Sequence, residues 1–318
     1  MLDLGTTHTV VAIGKEPRVV REPSRVALAP GDPGTPPIQT KNNKERPPDR
    51  VWVRPVERGR VINSFAMETL LKSMLEAARA GSRVLTLRRV AGVLVVPDIS
   101  EEEGARLRAL MIDLGVGKVH LIPAPFAAAI GLGLDVSDVR GKAIVDLGGG
   151  TTTTAVFSMG GLANWHQEPC GGRTVDQAIA EYIRARYQVD VPFGLSEEVK
   201  ITIGSLHPQE KPARFEFQGT ETVSRLPKKV SLDDNEIRDV MVDAFEALVK
   251  GIQRGLEELP PELAGDIARN GIVVIGGGAK VPGLTRFLEE KMGLSFVVAE
   301  EPENICLLGA RIMMNNGL

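Results

Sequence analysis

Apolar residues along this chain switch between a period of two and a period near 3.6, and the switches mark its elements. Two stretches share one design. Leu2-Asp3-Leu4 is followed by the turn Gly5-Thr6-Thr7-His8 and the β-branched run Thr9-Val10-Val11-Ala12, while Lys142 to Leu147, with Asp146 near its end, is followed by Gly148-Gly149-Gly150-Thr151 and Thr152 to Phe157. Each reads as an apolar strand ending in Asp, a Gly/Thr turn and a second strand. Between them, Phe65 to Leu75 has helical spacing, Val90 to Pro97 reads as a buried strand, and Ser100 with Glu103 caps a helix running through Met111. Val119 to Ile122 is a short strand, and Pro125 to Gly131 a small-residue helix with proline at its start. Residues 29–50, rich in proline, glycine and mixed charge, read as an exposed loop.

The second half repeats this logic. Thr174 to Arg184 is predicted as a helix after the pair Gly171-Gly172, Ser196 to Gly204 as a helix capped by Ser196, Ala213 to Val223 as strands and Ser231 to Leu259 as one long helix. Ile272 to Ile275 is a buried strand leading through Gly276-Gly277-Gly278-Ala279 into an amphipathic helix. The apolar segment from Ile305 is expected to return to the first domain. Alternating strands and helices in both halves predict an α/β protein of two related domains, residues 1–142 with 305–318, and residues 143–304.

The turns suggest the chemistry. Glycines let a backbone turn tightly and bring N–H groups against phosphate oxygens, and Thr hydroxyls add donors. Asp3 and Asp146, each near a strand end, can hold hydrated Mg²⁺. Two such hairpins facing each other would grip the phosphate tail of a nucleotide, and the third glycine turn would let backbone pass close to a purine and its ribose.

Composition narrows the setting. With 43% apolar residues and a formal net charge of -3, the chain shows no bias toward nucleic acid. Its two cysteines, Cys170 and Cys306, form neither a CxxC pair nor a disulfide framework, which fits a reducing cytoplasm. No apolar run reaches the roughly 18–20 residues of a membrane span, and no signal peptide opens the chain. Only Met1 and Leu2 precede Asp3, an unusually short first strand that points to a native start further upstream. His120, His166 and His207 are scattered without metal-ligand spacing, and no Walker-type Gly-x-x-x-x-Gly-Lys sequence occurs.

The ordered set of two Asp-Gly-Thr hairpins and a Gly-Gly-Gly-Ala turn resembles the actin-like ATPase superfamily of actins, DnaK-type chaperones and sugar kinases. Over nearly the whole chain it is similar to the MreB bacterial actins, most specifically at Glu197-Glu198-Val-Lys200-Ile-Thr-Ile-Gly204-Ser205 and Pro260-Pro261-Glu262-Leu263-Ala-Gly-Asp266-Ile267. The resemblance implies an actin-like fold of two ribonuclease H-like domains around a nucleotide cleft, with ATP and Mg²⁺ as ligands. It implies that Thr6, Thr7, His8, Gly149, Gly150 and Thr151 line the phosphates and that Asp3 and Asp146 orient Mg²⁺. Gly276, Gly277, Gly278 and Ala279 would flank the nucleoside, and Glu197, Glu198 and Lys200 would close over ribose and adenine. Without the resemblance, those last three residues read as an exposed helix face.

One departure bears on chemistry. The family usually carries Glu-Glu-Pro before the Ala-rich helix, with a carboxylate that orients the attacking water; here the segment is Pro123-Ala124-Pro125. Neither residue at 123 or 124 can position water, so ATPase activity is expected to be slow while binding is retained. A second question is the membrane. The resemblance places a small lipid-contacting loop at Arg79 to Arg89, where Val84, Leu85 and Leu87 are flanked by arginines. The same residues also read as a buried strand with ordinary surface charge.

The resulting expectation is a cytoplasmic filament protein, peripheral at the inner face of the membrane, acting in cell shape or wall synthesis. Its partners would be copies of itself and membrane-bound morphogenesis proteins, with no nucleic acid. The alternatives are a nucleotide-gated adaptor of the same fold, of the pilus-assembly or organelle-associated type, and a small-molecule kinase, for which no acceptor site is visible.

Overall fold

Two five-stranded mixed sheets of the same design organise the chain, seen in a computed structural model that describes residues 1–14, 18–28, 50–80, 91–96, 99–192 and 194–316. They belong to two units, Met1–Asp135 with Asn304–Leu318, and Val136–Glu303. The expected loop at 29–50 (all but its last residue) and the segment holding Val84, Leu85 and Leu87 lie outside the described residues.

The first unit runs β1 (Leu2–Leu4), β2 (His8–Ile13), β3 (Arg18–Pro23), β4 (Val26–Leu28), β5 (Val51–Val53), β6 (Val56–Glu57), β7 (Arg60–Val61), α1 (Ser64–Ala80), β8 (Ala91–Val96), α2 (Glu101–Asp113), β9 (Lys118–Pro123) and α3 (Ala124–Gly131). The second runs β10 (Lys142–Leu147), β11 (Thr152–Ser158), β12 (Gly161–Glu168), α4 (Gly172–Tyr187), β13 (Val189–Asp190), α5 (Leu195–Ile203), β14 (Arg214–Glu221), β15 (Pro227–Asp233), α6 (Asp234–Glu257), α7 (Pro261–Asn270), β16 (Ile272–Ile275), α8 (Leu284–Met292) and β17 (Phe296–Val298). The last helix, α9 (Ile305–Asn315), lies in the first unit.

The sheet orders are β3-β2-β1-β8-β9 and β12-β11-β10-β16-β17. In both, three strands form an antiparallel meander and the other two join the first strand in parallel. Helices covering both faces of the first sheet explain why β2 and β8 are near-continuous apolar runs. On one face Leu2, Leu4, Leu94 and Val96 pack with Met67, Leu70, Leu71 and Met74 of α1 and Leu107 and Met111 of α2. On the other, Val93, Val95 and Ile122 pack with Ala127 of α3 and Ala310 of α9. In the second unit Val145, Leu147 and Val156 sit in one core with Val175, Ile179 and Ile183 of α4 and Met241, Phe245 and Leu248 of α6.

Local chemistry sets the ends of the helices. At α2 the Ser100 hydroxyl accepts from the Glu103 N–H at 3.2 Å and the Glu103 carboxylate accepts from the Ser100 N–H at 3.0 Å, the reciprocal cap expected from sequence. Two expectations need correction. The long helix starts at Asp234, not Ser231, because Phe215↔Leu232 and Glu216↔Ser231 still pair in the β14–β15 ladder and Leu232 is fully buried in strand alternation. Asp233 then caps α6, accepting from the Asn235 N–H at 2.9 Å, while Glu236 accepts from the Asp233 N–H at 2.6 Å. At α5 the cap is Gly194 in a left-handed conformation, and Ser196 is buried inside the first turn.

Helices α3 and α9 meet backbone to backbone. A Cβ on Gly309 would overlap the Ala127 carbonyl, and one on Gly131 would overlap the Ile305 carbonyl. Gly309→Ala should therefore force the helices apart and destabilise the first unit by roughly 1–3 kcal/mol or more. Urea unfolding reads this directly; an unchanged midpoint would show that the contact is looser than described.

Candidate nucleotide-binding site

Loops of matching geometry, with four residues between the paired strand positions, join β1 to β2 and β10 to β11. Leu4 pairs with Thr9 across the first and Leu147 with Thr152 across the second. In each, the leading glycine closes the loop through its N–H, Gly5 to the His8 carbonyl at 3.1 Å and Gly148 to the Thr151 carbonyl at 2.9 Å. A Cβ on Gly5 would stand 2.5 Å from the His8 carbonyl oxygen, so only glycine allows this closure. Among the described residues, the N–H groups of Thr6 and Thr7, and those of Gly149, Gly150 and Thr151, donate to no protein acceptor. Successive amides of this kind form a concavity suited to an anion.

Each loop is braced from behind by different means. In the first unit Ser24, fully buried, donates its hydroxyl to the Gly5 carbonyl at 2.6 Å and its N–H to the Thr7 carbonyl at 2.8 Å, with the Thr9 hydroxyl 2.8 Å from its own. The second loop rests on the start of α4. The Gly172 N–H donates to the Gly148 carbonyl at 3.0 Å and the Arg173 N–H to the Gly149 carbonyl at 2.8 Å. A Cβ on Gly171 would press on Gly148, Gly149 and Thr151 at 2.5–2.9 Å, which accounts for the glycine pair noted in the sequence. Ser24 escaped the sequence reading because a single serine outside any motif carries no signal.

Asp3 and Asp146 occupy equivalent positions, each two residues before its loop glycine and each paired with both an antiparallel and a parallel neighbour: Asp3 with Val10 and Val95, Asp146 with Thr153 and Ile275. Part of Asp146 reaches solvent, but protein crowds its carboxyl and burial pushes its pKa up to about 6. Among the described residues no three His, Cys, Asp or Glu side chains gather to cage a metal. Mg²⁺ needs no such cage, since one or two carboxylates with phosphate oxygens and waters suffice, and a cation beside Asp146 would favour the charged form that burial opposes.

The third turn divides its labour. Gly276, at φ +87°, donates its N–H to the Pro302 carbonyl at 2.9 Å, and any side chain there would strike the Asp146 carboxylate and the Leu147 carbonyl. A Cβ on Gly278 would stand 2.9 Å from the Leu147 Cβ and carbonyl oxygen, and Ala279 is buried in the core. Gly277 alone of the four is exposed, and a Cβ there would meet nothing within 4 Å. The fold demands glycine at 276 and 278, but not at 277.

On α5, Glu197 is half-buried and Glu198 exposed, whereas Lys200 turns inward. Its ammonium lies 2.6 Å from the Asp176 carboxylate and donates to the Gly172 carbonyl at 3.2 Å. Pro123 ends β9, and Ala124 opens α3, partly buried against the Val93–Val95–Ile122 cluster. His166 is paired with Glu168 at 3.1 Å, and His207 lies 3.7 Å from Glu290.

Comparison with known proteins places this geometry in context. The family model described as MreB/Mbl protein matches residues 1–317. The cell shape-determining protein MreB of Escherichia coli K12 is 33% identical over 308 residues, covering 95% of this chain and 88% of its own. Crystal structures of MreB5 of Spiroplasma citri superpose with a TM-score of 0.89 in both its ADP-bound and its AMPPNP-bound form, at 28% and 29% identity. The alignments cover 99% of this chain and 95% of that one for the first, 100% and 98% for the second.

The Asp146 geometry yields a test of sign. A carboxyl with a raised folded pKa favours folding below about pH 3, where both states are protonated, and that advantage is lost as pH rises through 6. Above it the folded chain carries a penalty on the order of 2–3 kcal/mol. Asp146→Asn should make the protein more stable than wild type in urea at pH 7.5 and equal near pH 3; a less stable variant at pH 7.5 would contradict the burial argument. At the third turn, Gly277→Val should leave the unfolding midpoint unchanged but weaken ATP binding about tenfold or more by calorimetry. Unaltered affinity would remove that residue from the site.

Proposed function

The chain belongs to the MreB/Mbl family, and from that premise we propose that it binds ATP with Mg²⁺ and uses the nucleotide to control its own polymerisation into cytoskeletal filaments, in cell-shape determination or guidance of wall synthesis. The observation that carries the reading is the pair of matching loops whose amides point to no protein acceptor, each beside an equivalent aspartate. Thr6, Thr7 and His8, with Gly149, Gly150 and Thr151, take the phosphates. Asp3 and Asp146 orient Mg²⁺, which when bound neutralises phosphate charge. The nucleoside lies by Gly277, bordered by Glu197 and Glu198 of α5. Relatives solved with ADP and AMPPNP support this choice of ligand.

Partners in this reading are further copies of the chain and membrane-bound morphogenesis proteins, and the setting is the cytoplasmic face of the membrane. Among the described residues no helix is long and apolar enough to cross a membrane. Contact with lipid would fall to Val84, Leu85 and Leu87, an assignment that rests on sequence alone.

Phosphoryl transfer to water depends on positioning and electrostatics, and the β9–α3 junction supplies neither through a side chain at 123 or 124. Proline and alanine there leave the attacking water without a carboxylate partner, while the groups proposed for phosphate and Mg²⁺ are all present. The ATP state should therefore persist, and filaments should be turned over by partners rather than by hydrolysis.

Sedimentation with and without ATP·Mg²⁺ tests the whole reading: polymer should pellet with ATP and disperse when it is removed. A protein that binds ATP yet stays monomeric at high concentration and on lipid would fit the adaptor alternative. Phosphate release should be roughly 10²-fold slower than in relatives with the Glu-Glu-Pro segment, and Ala124→Glu should raise it. A wild-type rate equal to those relatives would mean that another group positions the water.

A further inference from the structure

The family resemblance assigns Lys200 to ribose and adenine, and within the protein its ammonium is held at the start of α4. We propose that Lys200 is a positioning residue for the phosphate end of the site, fixing through α4 the loop that takes the phosphates. The inference rests on the nucleotide reading above and concerns which part of the nucleotide depends on this side chain.

One peptide unit carries the argument. The carbonyl of Gly172 accepts from the Lys200 ammonium at 3.2 Å, and the N–H on the other side of the same peptide, that of Arg173, donates to the Gly149 carbonyl at 2.8 Å. A charge-assisted bond at one end of a peptide polarises it and strengthens the bond at the other. Next along, the Gly172 N–H holds the Gly148 carbonyl at 3.0 Å. The three groups converge on Gly172 at ordinary contact distance: a Cβ placed there would lie 3.4 Å from the Lys200 ammonium, 3.8 Å from the Gly148 carbonyl oxygen and 3.9 Å from the Gly149 Cα.

Charge placement points the same way. The ammonium sits at the N-terminal end of α4, where the helix dipole disfavours a cation, and the first turn of α4 contains no acidic residue. Asp176 compensates from the following turn, 2.6 Å away, and the two side chains are only 13% and 20% exposed. Such a shielded pair contributes little net stability over an apolar pair, so its worth is in fixing geometry. What it fixes is the contact of α5 with the α4 turn that holds Gly148 and Gly149. Position on α5 together with this anchor makes Lys200 the link between the nucleoside side of the site and the phosphate loop.

Calorimetric titration of wild type, Lys200→Met, Asp176→Asn and the double variant with adenosine, AMP, ADP and ATP, each with Mg²⁺, separates the assignments. Thermal unfolding of each variant confirms that it is folded, and Asp176→Asn, which keeps the lysine, serves if Lys200→Met does not fold. The expected result is a loss of about tenfold for ATP and ADP, with adenosine within twofold of wild type, equal effects of the two single variants, and a double variant no worse than either. An equal loss across all four ligands would return Lys200 to the nucleoside and overturn the inference while leaving the nucleotide reading intact. Unchanged affinities throughout would overturn it as well. Wild-type protein that binds none of the four would instead overturn the nucleotide reading on which the inference depends.

Discussion

Backbone amides that no protein group satisfies are the constraint on which this structure turns. Loop N–H groups without a protein acceptor among the described residues cannot stabilise the loop, so beyond the closure by Gly5 or Gly148 it is held from behind, through its carbonyls. In the first unit Ser24 takes the carbonyls of Gly5 and Thr7; in the second the first two amides of α4 take those of Gly148 and Gly149. The two halves share strand order, loop length and the place of the aspartate, yet they differ in the brace. The halves match in the loops that leave amides without a protein acceptor and differ in what supports those loops.

The same economy governs the glycines. Gly171 and Gly276 are required because backbone or a carboxylate already occupies the space a side chain would need, and each lets one element approach another closely. Gly276 brings the end of β16 onto Asp146, and that crowding helps raise the pKa of the carboxyl. Packing and charge are therefore coupled here: the fold buries the Asp146 carboxyl at a cost to its ionised form.

Much of this was legible in sequence, and the limits have physical reasons. Turn chemistry is local, so the two Gly/Thr loops, the Ser100–Glu103 cap and the glycine turn after β16 could be read from residue types and spacing. Strand-to-helix transitions were less legible where both periods fit: Ser231 to Asp233 suit a helix start, but the cross-strand partners Phe215 and Glu216 hold them in β15. Ser196 looked like a cap because it precedes two glutamates, whereas the chain enters α5 through a left-handed glycine. Ser24, Asp176 and the inward turn of Lys200 depend on contacts between elements far apart in sequence, which no local pattern encodes. The glycines at 276–278 read in sequence as one feature, and only packing distinguishes the two that the fold requires from the one it does not.

Amide hydrogen exchange measures the central claim most directly, because it reports on the loop N–H groups themselves. The account predicts that ATP·Mg²⁺ slows exchange at Thr6, Thr7, Gly149, Gly150 and Thr151 strongly, while amides already bonded within the loops, such as those of Gly5 and Gly148, change little. Saturating nucleotide that protects other segments but leaves those five amides exchanging as before would contradict it.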